Sequence, residues 1–158
     1  IKCVAPYGDF VYKYYPDTNA CFIATGTGIS PFRSMLRSQR FKETPPKKAF
    51  CFFGTRNEKD ILYSEILKET KLPNGDPLGW EICLSKSGPD WLGYKGRVTD
   101  YIRTLDNSFP WYQTHYYLCG NGHMIKEVKA ILAEKGVAKE FVHQEVYYSP
   151  KADAVGDL

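Results

Sequence analysis

Two short glycine-bearing stretches combine residue types and spacing suited to chemistry. The first reads Thr25-Gly26-Thr27-Gly28-Ile29-Ser30-Pro31, between the apolar run 20–24 and a helical pattern. Glycine lets a backbone turn tightly and approach a ligand closely. A helix start behind such a turn offers unpaired N–H groups and a positive dipole end. Together they suit a diphosphate, with Thr25, Gly26, Thr27, Gly28 and Pro31 as contributors. Pro31 stands where a G-x-G-x-x-G pattern carries its third glycine, and no Gly-Lys-Ser/Thr ending follows. The missing ending excludes a nucleotide-hydrolysing phosphate loop. The second stretch is Leu118-Cys119-Gly120-Asn121-Gly122-His123-Met124. Cys119 closes a strand-like run, where a thiol either touches a ligand or is simply packed.

Other candidates lie at the ends of later apolar runs. Arg56 follows Phe53-Gly54-Thr55, and Ser85-Lys86-Ser87 follows the run 80–84, with Tyr94, Lys95 and Arg97 beyond. Hydroxyl and cationic donors of this kind hold phosphate. Glu145 falls in the last strand-like segment, where a half-buried carboxylate needs a partner or a function. His115, His123 and His143 are scattered and suggest no catalytic set. The five cysteines form no C-x-x-C pair, which argues against zinc and iron–sulfur centres. Buried free thiols are the plain reading for four of them.

Composition bounds these readings. The chain has 158 residues, 43% hydrophobic and 25% charged, enough for one globular domain. Its net charge is +3, with basic and acidic residues alternating as in Lys68-Glu69-Thr70-Lys71, so no nucleic-acid-binding stripe is expected. No run approaches the ~18 apolar residues of a membrane span. No leader pattern stands at the start, and a cytoplasmic location, or a peripheral one through a missing part, is the expectation.

The positioning elements follow from periodicity. From residue 20, short apolar runs alternate with helical patterns of ten or so residues. This predicts an α/β fold: a doubly wound five-stranded parallel sheet, ordered 3-2-1-4-5, with a short N-terminal β-ribbon over 3–5 and 9–14. Predicted helices cover 31–40, 60–69, 98–105 and 124–135, the last capped by Gly136. Ligands of such sheets lie at the carboxyl ends of the strands, near the point where strand order reverses. The loops after Ala24 and Cys119 flank that point.

With these residues in view, the chain resembles the pyridine-nucleotide domain of the ferredoxin–NADP reductase superfamily. Gly26-Thr27-Gly28-Ile29-Ser30-Pro31-Phe32 is similar to its G-T-G-[IV]-[AS]-P-[FL] segment. Phe53-Gly54-Thr55-Arg56 with Asp60-Ile61-Leu62-Tyr63, Cys119-Gly120 with Met124, and Glu145-Val146-Tyr147 resemble its later motifs, in order. Pro6-Tyr7-Gly8-Asp9-Phe10 resembles the closing strands of the family's flavin barrel, whereas its Arg-x-Tyr-Ser/Thr flavin signature is missing here. The resemblance implies residues 1–18 as a remnant of the flavin domain and linker, 19–148 as the NAD(P)-binding domain, and 149–158 as a tail. It implies NADP or NAD as the nucleotide, with FAD held mainly by a domain outside this chain. Cys119 and Glu145 would flank the nicotinamide, beside Gly120 and Met124. Tyr147, with Tyr148 as rival, would meet the flavin. Ser85, Lys86, Lys95 and Arg97 would serve the 2′-phosphate; Ser-Lys in place of the family's Ser-Arg leaves NADPH and NADH both open.

The implied activity is hydride transfer from NAD(P)H to FAD, with electrons passed to a ferredoxin or an oxygenase component. The implied partners are therefore the FAD-binding domain and that acceptor, and the isolated domain is expected to be inactive. A competing reading is a nucleotide-binding regulatory or assembly module that has lost the hydride site. A weaker one is a flavodoxin-like FMN carrier, which the later motifs do not fit.

Overall fold

The computed structural model describes residues 8–148. Its strands are β1 (Asn19–Thr25), β2 (Ala49–Thr55), β3 (Gly79–Leu84), β4 (Tyr94–Lys95), β5 (Thr114–Asn121) and β6 (Val142–Tyr148). Its helices are α1 (Ile29–Arg37), α2 (Gln39–Glu43), α3 (Ser64–Glu69), α4 (Val98–Thr104) and α5 (Gly122–Glu134). All six strands pair in parallel, in the order β4-β3-β2-β1-β5-β6.

The class and the order of the five long strands match the expectation, but the count does not. The extra strand is β4, two residues paired with Cys83 and Leu84, between the apolar run 80–84 and the helix over 98–105, where the sequence leads to no strand. Two residues are too few to show a strand period, and a side chain helps hold the edge: Glu81 Oε1 accepts from Tyr94 N at 3.1 Å.

The apolar runs form strands because both sheet faces are covered. Phe22 and Ala24 of β1 face one layer with Phe32 and Leu36 of α1, Phe41 of α2 and Leu67 of α3. Cys21 and Ile23, one residue out of phase, face the other with Ile102 of α4 and Val128 and Leu132 of α5. Each large core side chain contributes roughly 1.5–3 kcal/mol by leaving water.

Three expected elements differ. The helix over 31–40 breaks at Ser38, whose Oγ accepts from Phe41 N at 3.1 Å and starts α2. The helix over 60–69 shrinks to α3, because Tyr63 adopts a left-handed backbone at φ 55°. Among the described residues, segment 9–14 forms no strand, and it holds to the sheet through side-chain contacts. Tyr12 is buried against Phe41 and Tyr117, and the Lys13 backbone brackets the Tyr117 hydroxyl, donating at 3.1 Å and accepting at 3.0 Å. The expected partner strand at 3–5, Cys3, Pro6-Tyr7 and the tail 149–158 lie outside the described residues.

No helix among the described residues is long and apolar enough to cross a membrane. No group of three or more His, Cys, Asp or Glu among them is placed to hold a metal ion.

Candidate functional site

After β1 the chain winds out to β2 and β3, then returns to lay β5 on the other side of β1. The strand order therefore reverses between β1 and β5, and their carboxyl ends meet there.

That meeting is close. Gly28 lies so near the end of β5 that an added Cβ would stand 2.3 Å from the Cys119 carbonyl oxygen. Gly120, at φ +139°, lies so near β1 that a Cβ would stand 2.3 Å from Thr25 Oγ1 and 2.9 Å from Thr25 N. Thr25 Oγ1 accepts from Asn121 N at 3.1 Å. Glycine is thus required on both sides for backbone approach. The Asn121 side chain accepts from His123 N at 2.8 Å, so the same residue caps α5.

Thr25→Val removes this acceptor while keeping the shape. Folding stability should fall by about 1 kcal/mol, the net worth of one hydrogen bond, and Thr25→Ser should restore it. Urea unfolding of the two variants beside the parent chain checks this.

A cleft of about 1240 Å³ opens from this junction across the ends of β1, β2, β3 and β5 toward α4 and α5. It gathers Thr25, Gly26, Thr27, Arg56, Ser85, Arg97, Gly120 and Met124 from the sequence candidates. It also gathers residues not singled out from sequence, chiefly Lys59, Thr99 and Lys126, and His123, one of the three histidines that suggest no catalytic set. Lys126 lies one turn past the Gly122 helix start, a spacing that could have flagged it. Lys59 lies in a single 3-10 turn, Glu58–Asp60, too short to show a period.

The cleft's charge is unbalanced. Its two carboxylates are engaged: Asp60 Oδ2 accepts from Asn57 Nδ2 at 3.0 Å, and Glu127 pairs with Arg103 at 3.4 Å. Arg56, Lys59, Arg97 and Lys126 form no ion pair among the described residues. Asp100 Oδ2 accepts from Arg97 N at 3.1 Å and fixes the turn into α4.

Other candidates lie elsewhere. Gly28 is buried behind the turn, and Pro31 sits in the first turn of α1, where a missing N–H costs nothing. Neither lines the cleft. Nor does Lys86, which is exposed; Lys95 Nζ is turned away, donating to Pro89 O at 2.8 Å.

Cys119 and Glu145 come together, but apart from the cleft. They are register partners across β5 and β6. Cys119 is fully buried, on the sheet face that carries α1. Burial first, then the Glu145 carboxylate, pushes its thiol up to about 12. It is a protonated, packed thiol at neutral pH, so its closeness to any ligand depends on the strand ends above it. Strand β6 carries Tyr147 to the same edge.

Sheet order, glycine junction and cationic cleft together define a nucleotide-binding α/β domain. The chain belongs to the oxidoreductase NAD-binding domain family, whose sequence profile matches residues 22–130. It is thus a pyridine-nucleotide-binding domain of the ferredoxin–NADP reductase superfamily. It is 33% identical over 152 residues to ferredoxin–NADP reductase B of Sorangium cellulosum, covering 93% of this chain and 62% of that protein. It is 29% identical over 147 residues to the xylene/toluene monooxygenase electron transfer component of Pseudomonas putida, covering 92% of this chain and 41% of that one. The chain therefore spans less than two thirds of the length of each of these relatives.

Two solved structures share the fold. The flavohem-like FAD/NAD binding domain of Vibrio cholerae nitric oxide dioxygenase superposes with a TM-score of 0.69 at 18% identity, over 90% of this chain and 56% of that one. The Plasmodium falciparum ferredoxin–NADP+ reductase with 2'P-AMP gives 0.56 at 27% identity, over 82% and 53%.

Proposed function

We propose that this chain is the NAD(P)H-binding half of a flavin-dependent reductase. The single observation that carries this is the glycine junction between β1 and β5, opening into a cleft with four cations that form no ion pair among the described residues. A dinucleotide is a long dianion with two flat ends, and this shape and charge suit it. The turn Thr25 to Gly28 and the start of α1 would hold the diphosphate through backbone N–H groups. Arg56, Ser85, Arg97 and Lys59 would meet the adenosine half and its phosphate.

The nicotinamide end would lie over Gly120 and Met124, toward Cys119 and Glu145. Bound NAD(P)H supplies a hydride there, and the flavin that accepts it would be FAD held by another part of the parent protein. The chain's own work is orientation. Gly120 lets the ring approach the strand ends, the Cys119 thiol packs beneath it, and the Glu145 carboxylate holds a local negative charge. The electron acceptor would be a ferredoxin or an oxygenase component, in keeping with the names of the relatives in Sorangium cellulosum and Pseudomonas putida.

NADPH is the better fit to the cations. No carboxylate occupies Ser85–Gly88, although Glu58 Oε1 accepts from Gly88 N at 2.8 Å at the rim of this loop. The similar Plasmodium falciparum enzyme was solved with a 2′-phosphorylated adenosine nucleotide.

Calorimetric titration of NADH and NADPH into the 158-residue chain tests the reading. Saturable binding of either, without co-purified FAD, is expected. No binding of either nucleotide at millimolar concentration, or stoichiometric tightly held FAD, sinks it.

A further inference from the structure

Away from the cleft, three rings from three parts of the chain form one stack. The Tyr15 ring lies on His115 with centroids 3.5 Å apart and planes 5° from parallel. His143 completes it, 5.4 Å from His115 at 16°. The imidazoles are also joined edge to edge, Nδ1 of His115 lying 3.1 Å from Nε2 of His143. Phe141 and Tyr117 close the sides, at 4.6 Å from His115 and 4.9 Å from His143. His115 is only 6% exposed.

The stack anchors the lower end of a segment whose upper end reaches the proposed hydride centre. Phe10 and Tyr12 pack on Tyr117, two residues up β5 from His115. At the top, Gly8 lies so close to Glu145 that an added Cβ would stand 3.8 Å from Glu145 Oε1. Segment 8–15 therefore runs along one face of β5 and β6, from the strands' carboxyl ends to their amino ends.

We propose that the Tyr15–His115–His143 stack is a proton-operated lock on this segment, closed while both imidazoles are neutral and opened when they are protonated. The neutral pair shares one N–H between the two facing nitrogens. A first added proton places a charge among four aromatic rings, away from water and near the Lys13 ammonium. A second makes both facing nitrogens donors, and they must part. The groups that shift the pair oppose the charge: burial and His143 bring His115 from its usual value near 6.5 to about 4, and burial and Lys13 lower His143. No carboxylate is among the causes to compensate. Among the described residues, the other titratable groups facing the stack are the Tyr15 and Tyr117 hydroxyls, and burial pushes that of Tyr117 up to about 12. Because the folded value lies below the unfolded one, the neutral pair's stabilisation is complete above about pH 6.5 and drains as pH falls toward about 4.

The lock itself does not depend on the function proposed above; only its consequence for Glu145 rests on that reading. NMR of the 158-residue chain tests it without any nucleotide. Imidazole signals of His115 and His143, and amide-exchange protection at Lys13 and Ile23, would be followed from about pH 8 to about pH 3, past the folded His115 value of about 4. Protection at Lys13, corrected for intrinsic exchange, should fall at least tenfold as the imidazoles titrate, while Ile23 in β1 stays protected. His115→Phe, which keeps a flat ring but cannot titrate, should flatten the Lys13 response. Should that variant not fold, coincidence of the imidazole and Lys13 transitions in the parent chain decides. Imidazoles that titrate with Lys13 unmoved, a Lys13 response that persists in His115→Phe, or Lys13 and Ile23 lost together would each overturn the lock.

Discussion

Gly120→Ala is expected to cost the chain about 4 kcal/mol of folding stability and to abolish nucleotide binding in whatever fraction stays folded. Two penalties combine. The backbone at φ +139° is one that side chains rarely adopt, a strain of about 1–3 kcal/mol. The new methyl would also drive into Thr25 Oγ1, N and O, all within 2.9 Å, and overpacking costs about 1–3 kcal/mol more. The atoms it strikes belong to a central strand, so relief requires β1 and β5 to separate at the point where the cleft opens. Gly28→Ala should behave alike through a different contact, its methyl meeting the Cys119 carbonyl and Gly120 N at 2.3 and 2.8 Å. Neither defect should be relieved by the partner substitution, because each methyl meets backbone. Chemical denaturation paired with calorimetric NADPH titration measures both effects. An alanine variant at Gly120 that unfolds within 1 kcal/mol of the parent would show that the two strand ends are not as closely joined as described.

Arg56→Ala should weaken NADPH binding by about 10- to 100-fold, and Arg97→Ala by a similar factor. A hydrogen bond from a guanidinium to phosphate contributes about 1.5–3 kcal/mol, and each 1.4 kcal/mol is roughly tenfold in affinity. The loss should be large because neither side chain has a competing ion pair among the described residues, so neither must leave a partner to bind. Both are exposed on the free chain, so their removal should leave stability nearly unchanged, in contrast to the glycine variants. If these arginines meet the 2′-phosphate, NADH binding should fall much less than NADPH binding, and raised salt should narrow the gap between variant and parent. Equal losses for the two nucleotides would assign the arginines to the diphosphate, and no loss for either would place the nucleotide elsewhere.

The aromatic segment ahead of β1 adds a second dependence. If Glu145 acts beside the nicotinamide, opening the histidine lock should alter hydride transfer in the complete reductase at a pH where the nucleotide cleft itself is unchanged. Binding and turnover would then follow different pH curves.

Much of this molecule was legible in the residues themselves. Runs such as Ala20–Ala24 and Ala49–Phe53, apolar at every position, specify strands covered on both faces. Their alternation with helical patterns leaves few arrangements, so the fold class and the reversal point between β1 and β5 followed. The glycine turns were legible for a related reason: backbone constraint is local, and Gly26, Gly28 and Gly120 mark it in one dimension. Side-chain destinations are not local. Lys95 and Arg97 are two residues apart and chemically alike, yet Lys95 turns to the Pro89 carbonyl while Arg97 lines the cleft, a choice made by the edge pairing of β4 and the turn into α4. Lys59 reaches the same cleft from the single 3-10 turn Glu58–Asp60, too short to carry a period that would announce it. His115 and His143, 28 residues apart and unremarkable in the chain, become one titrating unit because parallel pairing of β5 with β6 brings their rings together and Tyr15 covers them. Period and glycine placement act over a few residues and can be read along the chain, whereas contacts between distant side chains exist only once the sheet has set their register.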